Sequence, residues 1–404
     1  MHTYIAPLDL VRERPPERPV ALVRPDVVAV AARWFQEHIE GETLYAVKAN
    51  PSPWMIRALT DAGIEAFDVA SVPEMEAVRA VARKARLAFM NPVKSIAAIA
   101  TAYFDHGVTV FAVDCQAELE KIRRALGPAP DLSLIVRLAV DAPGAAYPLS
   151  GRFGVEPRDA PELLLAARQA SGGPMGIAFH VGSQCLEPNA YEIAMAQASA
   201  ALSRAGVLAD VVDVGGGFPA WYPGLEPPPL AAYARAVRRG FEAMNVPESA
   251  ALWCEPGRAL AAEAASLLVR IELRRDNVLH LNDGAYGALY DAAHSRWNYP
   301  AALVREGGSA APLTAFRFFG PTCDAADVIE GPFWLPADVR EGDYIELSVM
   351  GAYGVALASR FNGFGDIDTV RVRTPPAASM YGLAPLPQAP AAAVRQRPSR
   401  RRPL

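Results

Sequence analysis

The chain has 404 residues, of which 51% are apolar and 21% charged, and its formal charge is −5. That length exceeds what one compact core usually organises, so a large domain with a smaller companion is expected. The charge balance points to neither nucleic acid nor an anionic membrane as a partner, and no apolar run is long enough to cross a bilayer.

The N-terminus, MHTYIAPLDLVRERPPERP, lacks the apolar stretch of a secretory signal. Cys115, Cys185, Cys254 and Cys323 are scattered and form no CxxC pair. Neither a zinc site nor a disulfide framework is indicated, and reduced thiols in a cytoplasm are expected.

Between residues 42 and 256 short β-prone runs recur: TLYAV, IEAFDV, RLAFM, VTVFAV, LSLIVRL, GIAFHV, DVVDV and ALWC. Segments of helical character separate most of them, beginning with SPWMIRALTDAG, which has a candidate cap at Ser52 and a stop at Gly63. Eight strands alternating with helices predict an α/β fold built on a (β/α)8 barrel over residues 25–260. The regular spacing favours the barrel over an open doubly wound sheet. After residue 260 the runs SLLVRIELRR, VLHLND, LTAFRFFGP, DYIELSVM and TVRVRT read as strands broken by Gly and Pro. They predict an all-β domain from residues 261–374, to which residues 1–24 add a strand. Residues 375–404 are rich in Pro, Ala and Arg and are expected to form a disordered tail.

Active sites of such barrels sit where strands pass into βα loops. The residues there are Lys48, Asp68, Asn91, Asp114, Arg137, His180, Gly215–Gly217 and Glu255–Arg258. Each alone is an ordinary polar strand end. Together they place a lysine, an imidazole, acids and a glycine loop at one mouth. The three glycines of DVGGGFP expose backbone N–H groups to an anion, and Arg258 of CEPGRAL offers a fork suited to phosphate. A phosphate cradle facing a strand-end lysine suggests pyridoxal phosphate held covalently by Lys48, with Glu255 beside the pyridine nitrogen. His180 would stack on the ring and Ser183 would reach the phosphate.

YAVKAN, FDVAS, MNPVKS, FHVGSQ, DVGGGFP, EPGR, NDGAYG, GPTCDAAD, GAYG and FNGF, in this order, closely resemble the ornithine decarboxylase family. These are the basic amino-acid decarboxylases of the alanine racemase-like fold, also called pyridoxal phosphate fold type III. The resemblance covers roughly residues 25–370. It implies that Lys48 carries the cofactor, that Asp68 and Arg137 lie near its ring, and that His180 stacks on it. It also implies phosphate contacts from Ser183, Gly217, Arg258 and Tyr353, cofactor contacts from Gly215, Gly216 and Gly257, and a pairing of Glu255 with the ring nitrogen.

Cys323 and Asp324 of GPTCD would enter the active site of the other subunit of a homodimer. Asp324 and Asp291, the latter beside Tyr290 in LYDAAH, would meet the substrate's distal ammonium. The connection from NDGAYG to YDAAH is shorter than in eukaryotic members, and Arg152 of SGRFG replaces their lysine. The implied reaction is decarboxylation of L-ornithine to putrescine, with the partner subunit's Cys323 returning a proton to Cα. Lysine or dual lysine/ornithine decarboxylation is the nearest rival, since one methylene is worth only about 1–3 kcal/mol of discrimination. Alanine racemases place an arginine, not an acid, at the ring nitrogen and lack GPTCD. A catalytically inactive binding homologue would be expected to lack some of these site residues. A simple carrier of the cofactor would lack the β domain.

Overall fold

The computed structural model describes residues 1–386, apart from 150 and 296. The eight expected runs form a closed parallel barrel: Glu42–Ala46, Ala66–Val69, Arg86–Phe89, Val110–Val113, Ser133–Arg137, Met175–Ala178, Val211–Asp213 and Ala251–Cys254. The eighth strand closes on the first through Trp253↔Glu42 and Cys254↔Thr43. Period-two alternation explains the packing. Inside, mostly small or slender side chains fill the barrel, among them Leu44, Ala66, Ala88, Ala112, Ile135 and Ala178. Outside, Tyr45, Phe67, Phe89 and Phe111 are fully buried beneath the helices. Each such aromatic contributes about 2 kcal/mol of burial.

The helices follow the expected segments. Pro53–Asp61 starts at Ser52, whose side chain makes no capping bond, and Pro53 opens the first turn. A helix not anticipated from the sequence, Pro25–His38, precedes the first strand and buries Val28, Ala31, Ala32 and Phe35.

The second sheet runs in the order Thr3–Tyr4, Asp368–Val372, Val20–Val23, Ala265–Arg275, Val278–Leu281, Leu313–Phe319, Val328–Pro336. Tyr344–Leu347 pairs with Ala265–Arg275 and with Ala301–Val304. The N-terminal segment thus supplies two strands rather than one. Val328–Pro336 was hidden in the sequence by Gly331 and Pro332. They lie where the pairing shifts register between Phe316 and Phe318, a position that tolerates proline.

The expectation of a disordered tail from residue 375 is corrected as far as residue 386. Ala378 and Ser379 are buried, and the Tyr381 hydroxyl donates to the Ala259 carbonyl at 2.8 Å. The remainder, 387–404, lies outside the described residues. Composition failed here because a few apolar residues suffice when a preformed surface receives them. The anchor is Glu263, 3% exposed, which accepts from the Met380 N–H at 2.6 Å. Its Oε2 has no partner, and burial raises its carboxyl to about 7.

A folded value above the unfolded one means that this contribution is complete below the unfolded value and is lost as pH rises through about 7. Glu263→Gln is therefore expected to gain on the order of 2 kcal/mol over the wild type at pH 8. Thermal unfolding at pH 5 and pH 8 should show that the gain shrinks at the lower pH.

Candidate active site

The barrel strands end around a cavity of about 230 Å³. A larger groove, about 900 Å³, lies on the β domain among His2, Glu13, Arg18 and Asp368. It is remote from the strand ends and gathers no comparable set of reactive groups.

Lys48 sits on a single 3₁₀ turn, Val47–Ala49, immediately after the first strand. Its side chain is 44% exposed and opens onto the cavity, while the Nζ donates to Oδ2 of Asp68 at 2.6 Å. Asp68, on the second strand, is 2% exposed. Burial opposes the Lys48 charge, but Asp68 and Glu255 outweigh it and hold the ammonium above its ordinary range. The ion pair therefore holds the lysine charged and in place at the cavity wall.

Arg137 ends the fifth strand and faces the cavity, with its guanidinium 5.7 Å from the Phe153 ring. His180 follows the sixth strand and accepts through Nδ1 from the Gly182 N–H at 2.9 Å. Burial, then Arg137 and Lys48, push His180 well below its ordinary range. It is a neutral imidazole with its proton on Nε2, suited to packing against a ring without adding charge. Ser183 lines the cavity from a two-stranded ribbon, Ser183–Cys185 against Ala145–Tyr147, which the sequence did not reveal.

The glycine loop has structural reasons for its composition. A Cβ on Gly215 would stand 2.2 Å from the Phe179 carbonyl oxygen, and one on Gly217 would stand 2.6 Å from that of Gly182. Gly217 also has φ +100. Gly217→Ala is expected to cost roughly 1–3 kcal/mol of local strain. It should weaken pyridoxal phosphate binding at least about tenfold in an absorbance titration.

Gly257 lines the same wall, where its missing Cβ spares contact with Ala49 and Ala46. Arg258 is 6% exposed and is clasped by aromatic rings, with Trp297 and Tyr353 centroids each 4.8 Å from its Cζ. Tyr353 adopts φ +58. Its N–H bonds the Ala49 carbonyl at 2.8 Å, tying the β domain to the lysine turn.

Four expected substrate residues do not line this cavity. Asp291 is the main correction. Its Oδ2 accepts from Arg258 Nη1 at 2.8 Å and from the Tyr299 hydroxyl at 2.9 Å. The short connection after Gly287 leads straight into the helix Tyr290–Ser295, and this carboxylate meets the barrel's arginine instead of open space. Tyr290 is exposed and stacks on His294 at 3.7 Å. Cys323 is exposed, with Sγ 3.3 Å from Asn362 Oδ1. Asp324 caps its own turn through the Ala326 N–H. Sequence reasoning also passed over Tyr222, whose hydroxyl accepts from Arg258 at 3.0 Å, and Asp213, fully buried at the end of the seventh strand.

The residues present suit pyridoxal phosphate. Arg258 Nη1 is occupied, yet its Nε is buried with no partner among the described residues, a donor left for a phosphate oxygen in the cavity it shares with the glycine loop. Glu255 lies across the same cavity.

Comparison with known proteins agrees. Residues 24–262 match the family described as pyridoxal-dependent decarboxylase, pyridoxal binding domain. The chain is 33% identical over 348 residues to the lysine/ornithine decarboxylase of Selenomonas ruminantium, covering 84% of this chain and 86% of that one. It is 31% identical to antizyme inhibitor 2 of Xenopus laevis, covering 84% and 77%. The arginine decarboxylase of Paramecium bursaria Chlorella virus, solved with agmatine, superposes with a TM-score of 0.81 at 26% identity, covering 90% of this chain and 98% of the other. The chain belongs to the pyridoxal phosphate-dependent ornithine, lysine and arginine decarboxylases of fold type III, and it is a basic amino-acid decarboxylase.

Proposed function

We propose that this decarboxylase converts L-ornithine to putrescine and CO2, a step of polyamine biosynthesis, as a cytoplasmic homodimer. The observation that carries the chemistry is the placement of Lys48 against Asp68 on one side of a cavity, with Glu255 and the unpaired Nε of Arg258 also at its walls. When bound, pyridoxal phosphate supplies an aldehyde that captures amines and a ring that accepts the electron pair left by the departing carboxylate. Arg258, Ser183, Tyr353 and the N–H groups of Gly215–Gly217 would hold the phosphate. His180 would pack on the ring, and Glu255 would keep the ring nitrogen protonated. Asp68 would hold Lys48 Nζ at the cavity wall through their ion pair, and Arg137 would balance the acids facing it.

The substrate's distal ammonium is met by Asp324 of the partner subunit, while Asp291 stays committed to Arg258. A buried ammonium needs such a carboxylate. Lysine is the second reading, favoured by the double name of the Selenomonas relative. The kinship with an antizyme inhibitor raises a non-catalytic reading, against which the full set of site residues stands. Competition among ornithine, lysine and arginine, scored by CO2 release and kcat/KM, decides among these. Preference for lysine or arginine would overturn the ornithine assignment, and no release from any of them would favour the non-catalytic one.

A further inference from the structure

The seventh and eighth barrel strands end side by side. Val214 N–H bonds the Trp253 carbonyl at 3.0 Å, and Glu255 N–H bonds the Gly215 carbonyl at 2.8 Å. Asp213 pairs with Trp253, so Glu255, two residues on, points to the same face of the sheet and its carboxyl neighbours that of Asp213. Asp213 Oδ1 is satisfied by the Gly215 N–H at 2.8 Å. Asp213 Oδ2 and Glu255 Oε1 are both buried with no partner among the described residues. Two carboxylate oxygens cannot satisfy each other, because both only accept. One proton between them satisfies both at once.

The surroundings favour that proton. Burial raises both carboxyls above their ordinary range, Asp68 on the second strand adds to each, and Asp213 adds further to Glu255. The Gly215 N–H, a hydrogen bond with Glu255 and Lys48 oppose the shift at Asp213, and Lys48 and Arg137 oppose it at Glu255. Cys254, the other titratable neighbour, has its thiol pushed up by burial and bonded to Thr43, so it brings no charge.

We propose that Asp213 is a positioning residue that shares one proton with Glu255, so that the pair presents a single negative charge to the cofactor's ring nitrogen. The second oxygen of Glu255 is then the acceptor for the ring N–H. The same aspartate fixes the phosphate loop through Gly215, linking the two ends of the cofactor site. The role toward the ring rests on the reading of Glu255 given above.

Infrared difference spectroscopy on apoprotein and holoprotein tests this, through the carbonyl stretch that a protonated carboxyl shows and a carboxylate lacks. Wild type minus Asp213→Asn at neutral pH should reveal one protonated carboxyl lost, and wild type minus Glu255→Gln should reveal the same band. Glu263 and Asp283, also raised by burial, contribute equally to each spectrum and cancel. Asparagine can accept from Gly215 and donate to Glu255. Asp213→Leu should therefore weaken cofactor binding at least about tenfold, and Asp213→Asn should recover most of that loss. A spectrum unchanged in Asp213→Asn overturns the shared proton. If the band disappears in both variants but Glu255→Gln leaves the bound cofactor's absorbance and its pH profile unaltered, the pair stands and the ring-nitrogen assignment of Glu255 falls.

Discussion

Lys48→Ala is expected to reduce decarboxylation by about 10⁴-fold, the upper range for removing one group that both bonds and transfers protons, while leaving the fold intact. The side chain is 44% exposed into the cavity, so its removal leaves no void in a packed core. Among the described residues its one hydrogen bond is to Asp68. Because that carboxylate is 2% exposed, it loses its nearest counter-ion, and a modest loss of stability accompanies the loss of activity. Borohydride treatment followed by mass spectrometry gives the direct check. Wild-type protein should retain the reduced cofactor on the peptide containing YAVKAN after unfolding, and Lys48→Ala should retain none. Activity within tenfold of wild type would remove Lys48 from the chemistry altogether.

The strand ends were legible in the sequence because a barrel converts linear order into a ring. An apolar run ending in Lys48, Asp68, Arg137, His180 or Glu255 sends that residue to the same rim, whatever the helices do. Side-chain partners were not legible. Asp213 reads as one more residue of DVGGGFP, and its juxtaposition with Glu255 depends on the register between two strands some 40 residues apart (213 and 254 end them). Asp291 shows the same limit. Its motif was recognisable, but whether it meets Arg258 or a substrate depends on the length of the turn before it. Short edge strands such as Ala301–Val304 and the ribbon at Ser183–Cys185 escaped because three or four residues carry too little periodicity. The residues after 375 were misjudged for a related reason: composition measures whether a segment can make its own core, not whether it can join one.

Cys323→Ala is expected to cost about 10²-fold or more in kcat, although Cys323 does not line the cavity of its own chain. It lies exposed beside Asn362, and that loop shows solvent two aromatic rings, Phe361 at 41% and Phe364 at 42% exposure. Apolar side chains gathered next to an exposed thiol suit burial against a second copy. In the homodimer proposed above, the thiol of one subunit would enter the cavity of the other. The sharing makes a quantitative prediction. Lys48→Ala and Cys323→Ala chains, each nearly inactive alone, should regain about a quarter of wild-type activity when mixed in equal amounts and allowed to exchange. Half of the dimers are then hybrids, and in each hybrid one site carries both defects while the other carries none. Differently tagged chains verify that hybrids form. If they form and activity stays at the level of the single variants, Cys323 serves its own subunit or none, and the shared site is wrong.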